Sequence, residues 1–383
     1  MKRVGLLTSH ASMNFGGLLQ AYALKETIKG MGYDCEIINY KPQVHDIKKH
    51  PLQFVLQRKG FIKKSFFGVT HYNELRKRMV LISNFRKKYY NIEDSYVVTE
   101  EMLSEESKKY DALCVGSDQL WNLSQKDNEN RVYMLDFDYS CPSISYGISF
   151  GDGLQIKKKE IQDSLPLIRR FRHISVRERE GQTFLSENNI NAELVLDPTL
   201  MVRSNFWNAF KRKEKLVENP YIFIYGFENA NQKYVDLIEA ARKASKKLNK
   251  QVINPIMTPD LSYAGFTNMP ICGPIEFINL VENANLVITN SFHGTIFSCL
   301  FNIPFISIRS KLSGKDTRKT NLLHLLCMED RNVYWEDEWN WNEIMNMDNS
   351  KVDNQLNELR EKSRHYLENA LQESFKYGKE NDC

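Results

Sequence analysis

The chain has 383 residues, 42% hydrophobic and 26% charged, with a formal net charge of +4. That length suits two domains of ordinary size, and the composition is that of a soluble globular protein. No apolar run approaches the roughly 20 residues that a membrane-spanning helix needs, and the seven cysteines are scattered with no Cys-x-x-Cys pair, which disfavours a metal site or disulfide framework and fits a reducing cytoplasm.

The N-terminus, Met1 to His10, begins like a secretory leader, but its apolar stretch is short and polar residues follow at once. Val4 to Thr8 therefore reads as a first strand. Gly16 to Gly30 reads as a helix closed by Gly30 or Gly32, and Cys35 to Tyr40 as the next strand, a βαβ unit in about 40 residues. From Gln43 to Tyr90 there are twelve Lys or Arg against only Asp46 and Glu74, a local charge of about +10. Aromatic and aliphatic residues interleave with these charges. The segment is expected to be a helical insertion (43–90) in the first domain, on the acceptor side. Two readings remain: contact with an anionic membrane or phosphate-bearing acceptor, and packing of the insertion on its own domain, which is preferred. Nucleic acid is disfavoured because no recognised module accompanies the charge.

Strands follow at Tyr110 to Val115 and Ser143 to Ser149. A second series is expected from Arg172 onward: Ile174 to Val176, a helix over Glu178 to Ser186, Leu194 to Leu196, Tyr221 to Tyr225, a helix over Asn231 to Leu248, Val252 to Ile253, a helix over Glu276 to Ala284, Leu286 to Thr289, a helix over Thr295 to Phe301, and Phe305 to Ile308. The tail from Val352 to Tyr377 is amphipathic and is expected to cover a domain face. The alternation predicts two doubly wound α/β domains facing a cleft, spanning 1–165 and 166–345, with a C-terminal helix over 346–383.

Polar clusters sit just past the strand ends, where a doubly wound sheet gathers its ligands. They are Ser9-His10 with Asn14-Phe15-Gly16-Gly17, then Gly116-Ser117-Asp118-Gln119, Arg177-Glu178-Arg179, Asp197-Pro198, and Asn290-Ser291-Phe292-His293-Gly294. His293 lies where a strand feeds a helix, a place that favours an anionic ligand, and Gly294 allows close backbone approach. It reads either as a general acid or hydrogen-bond donor toward a ligand, or as a buried histidine that only caps the helix. Asp118 reads as a base, a ligand for a sugar hydroxyl or a helix cap. Arg177 reads either as a planar fork for phosphate or carboxylate or as a partner of Glu178 or Glu180. Asp197-Pro198 reads as a turn. Dinucleotide, Walker, His-Glu-x-x-His and Gly-x-Ser-x-Gly signatures are absent.

Taken in order, Asn14 to Leu24, Val115 to Asn122, Ser149-Phe150-Gly151, Ser175 to Glu178, Leu196 to Thr199 and Asn290 to Gly294 resemble the bacterial polysaccharide pyruvyl transferase family. The resemblance runs from about Val4 to Ile308. It implies a fold like that of GT-B glycosyltransferases, with two Rossmann-like domains. It also implies transfer of a pyruvyl group from phosphoenolpyruvate to two hydroxyls of a sugar in a surface polysaccharide or lipid-linked glycan. That chemistry needs no metal in principle and the sequence shows no compact ligand cluster for one, so no metal or other cofactor is expected. On that reading His293 and Asp118 are catalytic. Arg177, Asn290, Ser291, Gly294 and Arg318 bind the donor in the second domain, and Asn14, Gly16, Gly17, Gln20, Ser117 and Gln119 bind the acceptor in the first. Better-studied members carry Arg-Leu-His where this chain has Ser291-Phe292-His293, so Arg309, Lys311, Lys315 or Arg318 is expected to supply the missing cation. A sugar-nucleotide glycosyltransferase of GT-B type and a non-catalytic glycan-binding relative remain as alternatives. The expected location is the cytoplasm, with possible peripheral contact at the inner membrane face.

Overall fold

The structure, a computed structural model, describes residues 1–41, 69–92, 96–97, 99–125, 131–227, 234–262, 264–309, 317–347 and 350–377. It divides into two compact units: one bounded as Met1–His45, Arg86–Val202 and Gln355–Cys383, the other as Asp46–Phe85 and Arg203–Asn354.

The first unit holds a parallel sheet of β1 (Arg3–Leu7), β2 (Asp34–Ile37), β3 (Ala112–Asp118), β4 (Ser143–Ile148), β5 (Ser175–Val176) and β6 (Glu193–Leu194) in the order β2-β1-β3-β4-β5-β6. Buried on both faces, β3 and β4 read as continuous apolar or small-residue runs rather than alternating ones. Helix α1 (Phe15–Gly30) follows β1; its cap, Asn14, accepts the Gly16 N–H at 3.0 Å. Gly32 stops it, with a φ of +88° that a glycine adopts without strain.

The second unit repeats the plan. Its parallel sheet runs β12-β11-β10-β7-β8-β9, from β7 (Tyr221–Tyr225), β8 (Gln251–Asn254), β9 (Thr267–Asn268), β10 (Leu286–Thr289), β11 (Phe305–Ile308) and β12 (Asn332–Val333). Helix α2 (Tyr72–Phe85) belongs to this unit, with Leu75, Arg78, Ile82 and Phe85 as its buried stripe. Arg78 Nη1 donates to the Pro255 carbonyl at 2.6 Å. Further helices are α3 (Glu100–Ser107), α4 (Arg179–Glu187) and α5 (Pro198–Met201) in the first unit, and α6 (Tyr234–Leu248), α7 (Pro274–Glu282), α8 (Phe292–Leu300) and α9 (Thr317–Leu325) in the second.

Two α/β units with parallel sheets match the expected Rossmann-like architecture, but the boundary does not fall where expected. The strand at Ser175–Val176 extends the first sheet, with Val176 in register with Ile148 and the Arg177 N–H donating to the Ile148 carbonyl. Residues 166–202 therefore belong to the first unit. The basic stretch also divides differently. Residues 42–68 lie outside the described residues, α2 packs in the second unit rather than the first, and the chain rejoins the first unit at the π-helical turn Arg86–Tyr90. Arg86 is buried there, donating to Tyr96 Oη at 2.7 Å and Asn39 Oδ1 at 2.9 Å.

The tail forms α10 (Ser350–Tyr377). Its hydroxyls and guanidinium tie it to the first unit. Tyr366 donates to the Ser145 carbonyl, Arg360 to the Leu200 carbonyl, and Ser363 Oγ accepts from Leu196 N–H, all at 2.8–2.9 Å. Leu356, Leu367 and Leu371 form its buried face. Leu367→Ala should therefore cost about 2–5 kcal/mol, read as a lower denaturant midpoint with the m-value kept.

Candidate active site

In a doubly wound sheet the ligand crevice opens where the chain reverses its direction of winding. In the first unit that point lies between β1 and β3, because β2 was added on one side of β1 and β3 on the other. In the second unit it lies between β7 and β10. Of the expected polar clusters, Ser9-His10 with Asn14 to Gly17 follows β1, Gly116 to Gln119 ends β3 and Asn290 to Gly294 follows β10, while Arg177-Glu178-Arg179 follows β5 and Asp197-Pro198 lies past β6.

At the first crevice several expected ligand residues are occupied in bracing. Gln20 is fully buried; its amide nitrogen donates to Thr8 Oγ1 at 2.9 Å and to the Gly17 carbonyl at 3.1 Å, and its oxygen accepts the Ser117 N–H at 3.1 Å. It thus locks the ends of β1 and β3 to the first turn of α1. Ser117, also fully buried, donates to the Gly147 carbonyl at 2.7 Å. Gln119 Oε1 accepts from Asn122, and a Cβ on Gly151 would stand 2.1 Å from that oxygen. Asn14 caps α1, and Gly16 and Gly17 form its buried first turn.

Asp118 is different. It ends β3 with a φ of +86°, and its side chain is 14% exposed. Its Oδ1 accepts from Arg177 Nη2 at 2.9 Å. A Cβ on Gly17 would lie 3.5 Å from Asp118 Oδ2, 3.3 Å from Ser12 Oγ and 3.7 Å from the Ser9 carbonyl oxygen. The glycine thus borders a notch lined by three oxygens. Ser12 is not among the residues singled out in the sequence; its closeness to Asp118 is a product of the fold.

Arg177 sits beneath this notch, in the first unit and not, as expected, in the second. Its side chain is 1% exposed. Nη1 donates to Asp197 Oδ2 at 2.6 Å, Nη2 to Asp118 and Nε to Glu178 Oε1 at 3.2 Å. Burial opposes its charge, yet Asp118, Asp197 and Glu178 together hold its pKa above the ordinary arginine value. The fork expected to grip a donor phosphate is thus turned onto three carboxylates. Asp197 is both the expected turn residue and a partner of Arg177: its other oxygen accepts from Thr199 N–H at 3.0 Å and Thr199 Oγ1 at 2.6 Å. With all groups ionised, three carboxylates face one guanidinium, an excess of two negative charges.

Just past β1, His10 is buried, with Nδ1 3.0 Å from the Thr8 carbonyl and Nε2 2.9 Å from Asn39 Oδ1. Burial, aided by the Arg86 charge, depresses its pKa to about 4. The unfolded chain, with histidine near 6.5, then binds a proton that the folded state refuses. Stability should be complete above about pH 6.5 and fall by about 3 kcal/mol as pH drops toward 4. Urea unfolding of His10→Gln across that range should show a flatter dependence than the parent.

At the second crevice the amide of Asn290 spans the gap. Its Oδ1 accepts the Phe227 N–H at 2.9 Å and its nitrogen donates to the Phe227 carbonyl at 3.0 Å. Gly226 leaves room for it, since a Cβ there would stand 2.0 Å from Asn290 Oδ1. Ser291 caps α8 by accepting from Gly294 N–H at 3.3 Å. Gly294 permits close packing of α8 on β10, where a Cβ would meet Thr289 Oγ1 at 2.3 Å. That accounts for the glycine by packing, where the sequence pointed to ligand approach. His293 occupies the first turn of α8, 3% exposed, edge-on to Phe292.

Of the expected compensating cations, Lys311 and Lys315 lie outside the described residues. Arg309 stacks over the Tyr334 ring at 4.8 Å, and Arg318 is half-buried in the first turn of α9. Beside it Lys319, overlooked in the sequence, is 1% exposed and donates to the Ile308 carbonyl at 2.9 Å. Among the described residues no cluster of three or more His, Cys, Asp or Glu could hold a metal ion, and no helix is long and apolar enough to cross a membrane.

The architecture places the chain among proteins of GT-B-like fold. The putative UDP-N-acetylglucosamine 2-epimerase of Listeria monocytogenes superposes with a TM-score of 0.52 at 9% identity, over 95% of this chain and 90% of that one. The UDP-N-acetylglucosamine 2-epimerase of Rickettsia bellii gives 0.52 at 12% identity, over 98% and 97%. At such identities the likeness is one of fold alone. No curated protein sequence matches the chain. Residues 14–311 match the polysaccharide pyruvyl transferase family, and the chain belongs to it, which makes it a transferase.

The bracing role of Asn290 can be separated from ligand binding. Asn290→Ala leaves two backbone groups of Phe227 unpartnered by it, so it should lower stability by about 1–3 kcal/mol in the absence of any ligand. Thermal unfolding of the unliganded protein measures this.

Proposed function

We propose that the protein transfers a pyruvyl group from phosphoenolpyruvate to two hydroxyls of one sugar in a surface polysaccharide or its lipid-linked precursor. The observation that carries this reading is family membership across residues 14–311. The opposite electrostatic character of the two crevices supports the division of labour.

The donor carries a phosphate and a carboxylate. A site with an excess of two negative charges repels it, whereas the N-terminus of α8, the His293 ring and the cations at the start of α9 suit it. The notch beside Asp118 suits a hydroxyl, which can donate to a carboxylate. In the reaction a sugar oxygen attacks C2 of the enol while a proton adds to its methylene carbon. The second sugar oxygen then replaces phosphate at C2. Of the two hydroxyl protons, one balances the new methyl group and the other leaves with phosphate. Asp118 is assigned as the base that takes a hydroxyl proton, and His293 as the acid toward the donor. The donor supplies its own activated carbon, so no further cofactor enters the scheme. Phosphoenolpyruvate is a cytoplasmic metabolite, which sets the reaction there, and the exposed Lys87 and Lys88 of the first unit offer contact with an anionic membrane bearing the acceptor.

Incubation with phosphoenolpyruvate and a candidate glycan should release phosphate and raise the glycan mass by one pyruvate less one water. His293→Ala and Asp118→Asn should each cut turnover by about 10²- to 10⁴-fold while the fold is kept. Near-normal turnover in either variant removes that residue from the scheme. Phosphate release without a mass gain in any glycan tested, or a mass gain from a UDP-sugar instead, overturns the reading.

A further inference from the structure

The role of Asp118 depends on where its carboxylate points, and the residue itself does little to fix this. It ends β3 in a left-handed conformation. One of its oxygens, Oδ1, is held by the hydrogen bond that Arg177 gives at 2.9 Å. The direction of that bond is set by the remaining donors of the same planar guanidinium, since a fork held at two other nitrogens has no freedom left at the third.

Those two nitrogens are held by Asp197 at 2.6 Å and Glu178 at 3.2 Å. Asp197 is itself fixed. It begins α5, its Oδ1 takes the N–H and hydroxyl of Thr199, and its side chain is 0% exposed. Glu178 directly follows the arginine, and its side chain is 5% exposed. Bulk water therefore dilutes neither contact. A continuous line of hydrogen bonds runs from the cap of α5 through Asp197 and Arg177 to Asp118, whose other oxygen faces the notch at Gly17.

We infer that Asp197, assisted by Glu178, is a positioning residue: it anchors Arg177 so that one oxygen of Asp118 is held and the other is presented to an acceptor hydroxyl. This rests on the proposed role of Asp118 as base. Asp197 and Glu178 also divide the positive charge of Arg177 among three carboxylates. Neutralising either should leave more of that charge to Asp118 and remove a like charge near it. Both effects favour the ionised form of Asp118, so both lower the pH at which it takes up a proton.

The test uses the full chain labelled with carboxyl-¹³C aspartate, the Asp118 signal being the one lost in Asp118→Asn. Its titration midpoint is followed by NMR in the parent, in Asp197→Asn and in Glu178→Gln. The midpoint should fall by about one pH unit or more in Asp197→Asn, and in the same direction but less in Glu178→Gln, where the longer contact is altered. The acidic limb of kcat should move with it, and kcat should fall while KM for the donor stays as in the parent. A purely architectural Asp197 would lower the unfolding midpoint and leave the Asp118 titration in place; that result overturns the inference. Should Asp197→Asn fail to fold, Glu178→Gln decides by the same criterion. The NMR titration needs no turnover, so failure of pyruvyl transfer and failure of positioning are read separately.

Discussion

Each sheet opens at one place only, between the two strands from which the chain winds in opposite directions. There the loops diverge and leave a crevice, and backbone groups at the strand ends lose their ladder partners. The polar residues at these points thus have two tasks, satisfying the backbone and meeting a ligand. Gln20 and Ser117 in the first unit, and Asn290 and Ser291 in the second, do the first task. Their bracing holds the crevices in shape, so that Asp118 and Gly17 can border an oxygen-lined notch and His293 can occupy a helix N-terminus.

The buried cluster around Arg177 is hard to explain by stability. Four ionised groups are taken largely out of water, each at a cost of several kcal/mol, and well-packed apolar residues of similar volume would do as well or better. Once three carboxylates converge, however, the guanidinium is indispensable, because without it like charges would be buried together. The cluster fixes geometry at the expense of solvation. In a region that joins β3, β5 and the cap of α5, such fixing ties three separate stretches of chain to one point.

Much of this was legible in the sequence, and the illegible part has a common cause. Apolar runs such as Tyr221–Tyr225, Leu286–Thr289 and Phe305–Ile308 announce strands, and the structure has them with those bounds. The order of the motifs announces the family. A run of residues does not say which sheet it joins. Ser175–Val176 is only two residues long, and its place beside β4 is set by pairing with Ile148, information held 28 residues upstream. That single assignment moves Arg177 from the second unit to the first. The basic segment behaves likewise: the spacing of Leu75, Arg78, Ile82 and Phe85 gives a helix, but it takes tertiary contacts, such as the Arg78–Pro255 bond and the Phe85–Phe210 ring pair, to say which unit it serves. Asn290 and Gly294 look like ligand residues because the same residue types serve close packing and close approach.

The substitution at Ser291 shows how such a site can redistribute charge. A serine at this position caps α8 and is 4% exposed, so a long cationic side chain would have to leave the cap and find its own way out. The neighbouring strand offers another route. β11 pairs directly with β10, and the chain beyond it returns through Arg318 and Lys319. Lys319 ties its ammonium to the last carbonyl of β11, which pins the first turn of α9 to the carboxyl edge of the sheet. That anchor fixes where Arg318 begins. A cation brought by a pinned helix and a cation brought by a cap residue are interchangeable electrostatically, since an anion responds to the field at its own position and not to the chain that supplies it. The serine therefore keeps the N-terminus of α8 well formed, while the cations enter with the segment that follows β11.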